Sequence, residues 1–146
     1  MSFTRHLQKR ESLKFIANKN QNINVSNELI DFVNLPEKGK LFHTKPEKLS
    51  INNDEFICSS WKDVIIDVCS FLYKKYGEEF IKKIPHNDIS INKTTLISPR
   101  QIPNTKYWIE TNLSSESIFA KSRDLLQKLN VPLEKVKLYL NIKNSI

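Results

Sequence analysis

Two stretches of the chain carry apolar residues at the three- and four-residue spacing of an amphipathic helix. The first begins after Ser60, which can cap it, and ends before Gly77. The second begins after Ser114 or Ser115 and ends before Asn130. Their apolar stripes consist of Trp61, Val64, Ile65, Val68, Leu72 and Tyr76 in the first stretch, and Ile118, Phe119, Leu125, Leu126 and Leu129 in the second. The pattern predicts two long helices that bury these faces against each other or against a sheet.

Shorter stretches alternate between apolar and polar residues, which is typical of half-buried strands. Residues 48–51 and 55–58 flank Asn52, Asn53 and Asp54, and they predict a β-hairpin because Asn and Asp tolerate the positive φ of a tight turn. Residues 40–44, 94–98, 107–111 and 136–140 are predicted to form further strands.

Three shorter helices are also predicted. Ser26 can cap a short helix that contains residues 29–33, and residues 78–84 form another helix that ends before Pro85. The segment before residue 20 is predicted to be a loose basic helix. The chain is therefore expected to comprise a basic N-terminal segment, residues 1–25, and a single α+β domain, residues 26–146, with a small mixed β-sheet and the two long helices on one of its faces.

The distribution of charge along the chain indicates the kind of partner that the protein binds. The 146 residues include 23 Lys and Arg against 16 Asp and Glu, a net charge of +7. Residues 1–25 hold five basic residues and one acidic residue, so this segment alone carries +4 of that total. A basic surplus suits a polyanion, and nucleic acid is the expected partner.

Basic residues interleaved with aromatic or hydroxyl side chains are the pattern expected of a nucleic-acid surface. The candidate binding residues are Arg5, Lys9, Arg10, Lys14, Lys74, Lys75, Arg100 and Lys106. Each has an alternative, because lysines on the solvated face of a helix are common in proteins of every function. For the N-terminal residues Arg5, Lys9, Arg10 and Lys14, the sequence favours contact with a polyanion and a simple contribution to solubility equally.

Glu110 and Asn112 form a second candidate site, at the end of a predicted strand where loop-borne function often concentrates. The favoured alternative is structural: Asn112 and Ser114 cap the next helix, while Glu110 pairs with a lysine or accepts backbone hydrogen bonds. If the chain were an enzyme, this strand end would be its best site.

The usual catalytic signatures are missing from the sequence. Gly39 and Gly77 are too far apart for a phosphate-binding loop, and no Gly-x-Ser-x-Gly, Glu-x-Lys or Asp-x-Lys occurs. Two cysteines and three scattered histidines match no zinc pattern, and Cys58 and Cys69 are expected to be small buried residues. We therefore expect no catalytic residue, no metal and no cofactor. Without a signal sequence or a membrane-length apolar run, a cytoplasmic protein that does not enter a membrane is expected.

Several short motifs resemble a small module of unknown activity that occurs in bacterial proteins, near restriction-type nucleases and phage-defence genes. They are Ser60-Trp61-Lys62-Asp63, Val68-Cys69, Leu72-Tyr73, Ile102-Pro103, Tyr107 and Glu110-Thr111-Asn112-Leu113-Ser114. The resemblance covers about residues 45–140 and departs at Asn104, where the module has a glycine. It implies an accessory, binding role and brings no catalytic residues with it.

The sequence therefore predicts a non-enzymatic, nucleic-acid-associated accessory or binding module of bacterial or phage origin. The alternative is a protein-binding module or inhibitor that acts on a larger nuclease or defence protein, in which case the basic charge would mainly speed association.

Overall fold

The computed structural model describes residues 25–143. In chain order they form β1 (Val25–Asp31), β2 (Thr44–Ile51), β3 (Asp54–Ile57), α1 (Trp61–Tyr76), α2 (Glu78–Ile81), β4 (Ile89–Ser90), β5 (Pro99–Gln101), β6 (Trp108–Glu110), α3 (Ser115–Lys128) and β7 (Val136–Lys143). The predicted basic helix lies outside the described residues. The predicted α+β class is confirmed.

The strands form two antiparallel sheets, so the prediction of one mixed sheet is wrong. The larger sheet has the order β1-β7-β2-β3, and the smaller has the order β4-β6-β5. Strand β7, which follows α3, inserts between β1 and β2 and runs antiparallel to both. In the smaller sheet, β4 and β5 run in the same direction, but β6 separates them and pairs antiparallel with each.

The largest local difference from the sequence prediction is at residues 26–33: residues 26–31 belong to β1 and residues 32–33 bend after it, in place of a helix capped by Ser26. Leu29 lies opposite Tyr139 and Asp31 opposite Lys137 in the pairing of β1 with β7. An apolar pattern this short fits both the helical and the strand period. Pairing with β7 favours the strand, because it supplies hydrogen-bond partners for the backbone N–H and C=O groups. The chain then turns so that Phe32 stacks on Phe119 of α3, with ring centroids 4.3 Å apart.

Two predicted strands are turns instead. Residues 40–43 turn before β2 begins at Thr44, and His43 has a positive φ of 63°. Within residues 94–98, Thr94 and Thr95 belong to a 3₁₀ turn, Lys93–Thr95, and the Asn92 side chain accepts a hydrogen bond from the Thr94 amide. Such a side-chain bond offers the backbone an alternative to strand pairing.

Several predicted element ends are confirmed. The β2–β3 hairpin turns at Asn52 with φ 55°, α1 ends at Gly77 with φ 60°, and α3 is followed by Asn130 with φ 61°. The Ser114 hydroxyl accepts the Ser117 amide and caps α3. Ser60 is the N-cap residue of α1, but its side chain makes no capping hydrogen bond.

Helices α1 and α3 pack mainly on each other, and α1 also contacts β2. The predicted faces meet in one hydrophobic cluster that contains Val64, Ile65, Val68, Leu72, Ile118, Leu125, Leu126 and Leu129, with Val136, Leu138 and Leu140 from β7. Trp61 lies partly buried at the edge of this cluster, and its indole N–H donates to the Thr44 carbonyl at 3.2 Å. Cys58 and Cys69 are buried free thiols, as the sequence predicts for small core residues.

Among residues 25–143, no helix combines the length and the apolar character needed to cross a bilayer.

Candidate nucleic-acid interface

Two predicted binding residues, Lys74 and Lys75, are exposed in the last turn of α1. With Asn52, Asp54 and Phe71 they line a shallow depression of about 300 Å³. A second open depression, of about 560 Å³, shares Asn52 and is lined by Ser50, Asn52, Asn53, Pro132, Lys135 and Lys137. We refer to Lys74, Lys75, Lys135 and Lys137 as the lysine surface.

The sheet pairing explains why residues so distant in sequence share this surface. Ser50 of β2 lies opposite Lys137 of β7, and the Asn52 amide donates to the Lys135 carbonyl at 2.9 Å. The start of β7 is therefore fixed beside the β2–β3 turn, and the end of α1 lies on the other side of that turn.

The lysine surface keeps its positive charge. None of its four ammonium groups forms an ion pair with a residue in the described part of the chain, whereas Lys40, Lys48, Lys82, Arg100, Lys121 and Lys128 all do. Asp54 is the one acidic residue that lines either depression. Asp31 lies opposite Lys137 across the strands, but its carboxylate accepts the Val33 amide.

Two aromatic rings lie close to one ammonium group of the lysine surface. The Lys75 ammonium lies 5.9 Å from the centroid of the Phe71 ring and 5.6 Å from that of the Tyr76 ring. Phe71 is buried, whereas Tyr76 is partly exposed. The lysines with the Tyr76 ring are suited to phosphate groups and to the face of a base.

Arg100 and Lys106 lie apart from the lysine surface. The Arg100 guanidinium pairs with the Asp63 carboxylate at 3.0 Å, so most of its charge is neutralised within the fold. Lys106 is exposed, with its ammonium 5.7 Å from the centroid of the Tyr107 ring. The remaining predicted binding residues, Arg5, Lys9, Arg10 and Lys14, lie outside the described residues.

Glu110 has a structural role in the loop that precedes β5. Its carboxylate accepts the amides of Ile97 at 2.7 Å, Ser98 at 2.8 Å and Asn112 at 3.0 Å. Although desolvation acts to raise the pKa of Glu110, these backbone donors outweigh it and hold the pKa below its ordinary value. The Asn112 side chain is exposed. This geometry agrees with the structural alternative for Glu110.

A polar cluster that the sequence did not indicate lies on the first two turns of α1. Asp67 is largely buried, and the Cys58 thiol donates to its carboxylate at 3.5 Å. Burial, reinforced by the nearby Asp63 carboxylate, raises the pKa of Asp67 to about 7. Asp63 shows the opposite shift: burial acts to raise its pKa, but hydrogen bonds from Ser59 and Arg100 lower it below the ordinary value.

A small cavity of about 80 Å³ lies where α1, α3 and β6 meet. Ile65, Cys69, Ile109 and Leu125 supply apolar walls, and the Asp88–Lys121 ion pair, 2.8 Å long, lies at its edge. Glu110 also lines it, but its carboxylate oxygens already accept backbone amides. This volume is smaller than the roughly 150 Å³ of an engineered apolar cavity that holds benzene.

No group of three potential metal ligands comes together among residues 25–143. Lys74 and Lys75 are predicted from the sequence, whereas Lys135 and Lys137 are not. The alternation of β7 could have marked Lys137 as outward-facing, but the pairing of β7 with β2 is what brings it to the hairpin turn.

Comparison with known proteins gives no relative: no family model, curated protein or solved structure matches this chain.

Proposed function

We propose that this protein is a non-enzymatic module that binds nucleic acid through its phosphates, using the lysine surface together with the basic N-terminal segment. The observation that carries the proposal is that four lysines line two depressions that share Asn52, with no ion-pair partner among the described residues. Lys74 and Lys75 come from α1, Lys137 from β7, and Lys135 from the turn just before β7. Four lysines without carboxylate partners give this part of the surface a positive potential that attracts polyanions.

A polyanion fits this surface better than a small anion does. The two depressions are open and shallow, and the lysines stand on both sides of the hairpin turn rather than converging on one point. Phosphates repeated along a strand can contact several such cations at once, and each contact releases condensed counterions. The resemblance to a module found near phage-defence genes favours a role in bacterial or phage nucleic-acid transactions.

The test is a fluorescence-anisotropy titration of the full chain with single- and double-stranded oligonucleotides at several salt concentrations. We expect binding that weakens steeply with salt. Lys74→Gln with Lys75→Gln should reduce the slope of log K against log[salt] by about 1.5, because two phosphate contacts are lost. Adding Lys135→Gln and Lys137→Gln should about double that reduction.

Lys82→Gln with Lys83→Gln is the matched control, because it removes two adjacent lysines from outside the lysine surface. An equal loss in this control would mean that only net charge matters. Absence of binding to DNA and RNA at low salt would exclude the proposal, as would unchanged binding in the variant that lacks all four lysines. A variant with Arg5, Lys9, Arg10 and Lys14 replaced by Gln measures the contribution of the N-terminal segment separately.

A further inference from the structure

Two isoleucines are held exposed on one loop. Between β4 and β5 the chain crosses β6, and the ends of this crossover carry Ile91, 66% exposed, and Ile97, 78% exposed. In the middle of the crossover, the Lys93 ammonium lies 5.2 Å from the centroid of the Trp108 ring of β6. In sequence, Ile91 and Ile97 therefore flank the lysine that contacts the partly exposed Trp108 ring.

The loop is fixed by hydrogen bonds along most of its length. The Ser90 hydroxyl bonds both the amide and the carbonyl of Asn92, and the Asn92 side chain accepts the amide and hydroxyl of Thr94. At the other end, Glu110 accepts the amides of Ile97 and Ser98. A rigid loop that exposes large apolar side chains loses little conformational entropy on binding.

The charge around this loop is mainly positive. Residues 89–109 contain Lys93, Arg100 and Lys106 and no acidic residue. Lys62 adds a fourth cation, because its ammonium bonds the Ser98 hydroxyl at 2.8 Å. Of the nearby carboxylates, Asp88 pairs with Lys121 and Asp63 with Arg100. Glu110 accepts backbone amides of the loop and remains negatively charged, so the lysines leave a positive surplus around the loop rather than a purely positive surface.

We propose that the crossover loop, residues 91–98, is a docking surface for a second protein whose contact region is both apolar and acidic. The isoleucines would enter apolar contacts, and Lys93 and Lys62 would face carboxylates of the partner. This site is separate from the lysine surface, and it does not depend on nucleic-acid binding.

Other occupants match the surface less well. Nucleic acid would pair with the lysines but leave both isoleucines without apolar contacts, and the ring of Trp108 is already covered by Lys93. Residues 1–25 of the same chain carry a net +4 and would be repelled. A second copy that used the same loop would place like charges opposite each other.

The test uses a library of fluorescein-labelled 12-residue peptides in which Asp or Glu alternates with Leu, Ile or Phe. Each peptide has a counterpart in which serine replaces the apolar residues and the charge is unchanged. Binding to the full chain is followed by anisotropy. We expect a subset of acidic apolar peptides to bind at least about tenfold more tightly than their serine counterparts, because each buried isoleucine contributes a tenfold or greater factor.

Ile91→Ser with Ile97→Ser should lower the affinity of these peptides at least about tenfold. The matched control is Leu29→Ser with Ile57→Ser, which changes two other exposed apolar residues, 52% and 42% exposed, on the larger sheet and should leave affinity unchanged. Thermal unfolding of both variants checks that each remains folded. Glu110→Gln should weaken peptide binding although both isoleucines are intact, because the amides of Ile97 and Ser98 lose their hydrogen bonds to a charged carboxylate and the loop is held less firmly.

The proposal is overturned if no acidic apolar peptide binds better than its serine counterpart, or if the two serine variants lose affinity equally. It is also overturned if the Ile91 and Ile97 changes instead abolish self-association in sedimentation, or abolish oligonucleotide binding. Loss of oligonucleotide binding in the lysine-surface variant with peptide binding intact would leave both proposals standing as separate sites.

Discussion

Asp63 and Asp67 lie one turn apart on α1, yet their carboxyl pKa values are displaced in opposite directions. Asp63 accepts the Ser59 amide and hydroxyl and pairs with Arg100, so its ionised form is stabilised. Asp67 is more deeply placed and receives only the weak Cys58 thiol donor, so burial favours its neutral form. The deeper burial of Asp67 and the stronger hydrogen-bond donors around Asp63 separate the pKa values of the two carboxyl groups.

Asp67 should make the protein less stable as pH rises. The pKa of Asp67 in the folded state is about 7, above its ordinary value of 3.8. Between about pH 4 and pH 7 the folded state therefore binds more protons than the unfolded state. Stability contributed by the neutral carboxyl is complete below about pH 4 and is lost as pH rises through 7. Asp67→Asn should remove this loss of stability, which is at most about 4 kcal/mol. The substitution should therefore raise the urea midpoint of unfolding more at pH 8 than at pH 4. Urea unfolding at both pH values measures it.

Asp63→Asn should show the opposite pH dependence and is the internal control. Its folded pKa is lowered, so its stabilisation is present above the ordinary pKa and is lost as pH falls through the folded value. The substitution should destabilise the protein at neutral pH, with a difference that shrinks in acid. Parallel pH profiles for the two variants would contradict the opposite assignments.

Leu125 packs where α3 meets α1, with 4% of its side chain exposed. Leu125→Ala should lower the free energy of unfolding by about 2 to 5 kcal/mol, because it removes buried methyl groups and enlarges a cavity. Lys9→Ala with Arg10→Ala should leave the melting temperature nearly unchanged. Equal destabilisation by the N-terminal pair would show that this segment is an integral part of the fold.

Arg123 connects α3 to the chain just after β1. Its guanidinium donates to the carbonyls of Phe32 and Val33, each at 2.8 Å. Arg123→Met should lower the free energy of unfolding by about 1.5 to 3 kcal/mol, because bonds to charged donors are lost and carbonyl groups are left without partners. Lys121→Met removes the same charge from the same helix but breaks a partly exposed ion pair, and it should cost about 1 kcal/mol or less. A larger loss for Lys121 in chemical denaturation would contradict this ranking.

Both cysteines should be unreactive in the folded protein. Burial raises the pKa of the Cys58 and Cys69 thiols, and nearby Asp67 raises both further, so little thiolate forms near pH 8. Labelling with a thiol-specific disulfide reagent should be slow for native protein and should reach two thiols per chain in urea. Rapid labelling of the native protein would place at least one thiol at the surface.

Local sequence patterns are sufficient to predict the two long helices, the hairpin at Asn52, the helix ends at Gly77 and Asn130, and the alternation of β7. Each of these depends on a local signal: a long apolar stripe, a capping residue, or a residue that tolerates positive φ. Most residues of the predicted stripes are buried, but the spacing did not indicate the burial of Ile66, Phe71 and Ser122, and Trp61 and Tyr76 are only partly buried.

The strand order of the two sheets and the composition of the two proposed binding surfaces depend on long-range pairing. Residues 25–31 became a strand because β7 was available to pair with them, and the lysine surface exists because the same strand also pairs with β2. The roles of Arg100, Glu110 and Asp67 depend on neighbours between 9 and 37 residues away in sequence. Periodicity reports which face of an element is apolar, but it carries no information about which distant element covers that face, and this pairing determines which charges are neutralised and which remain free.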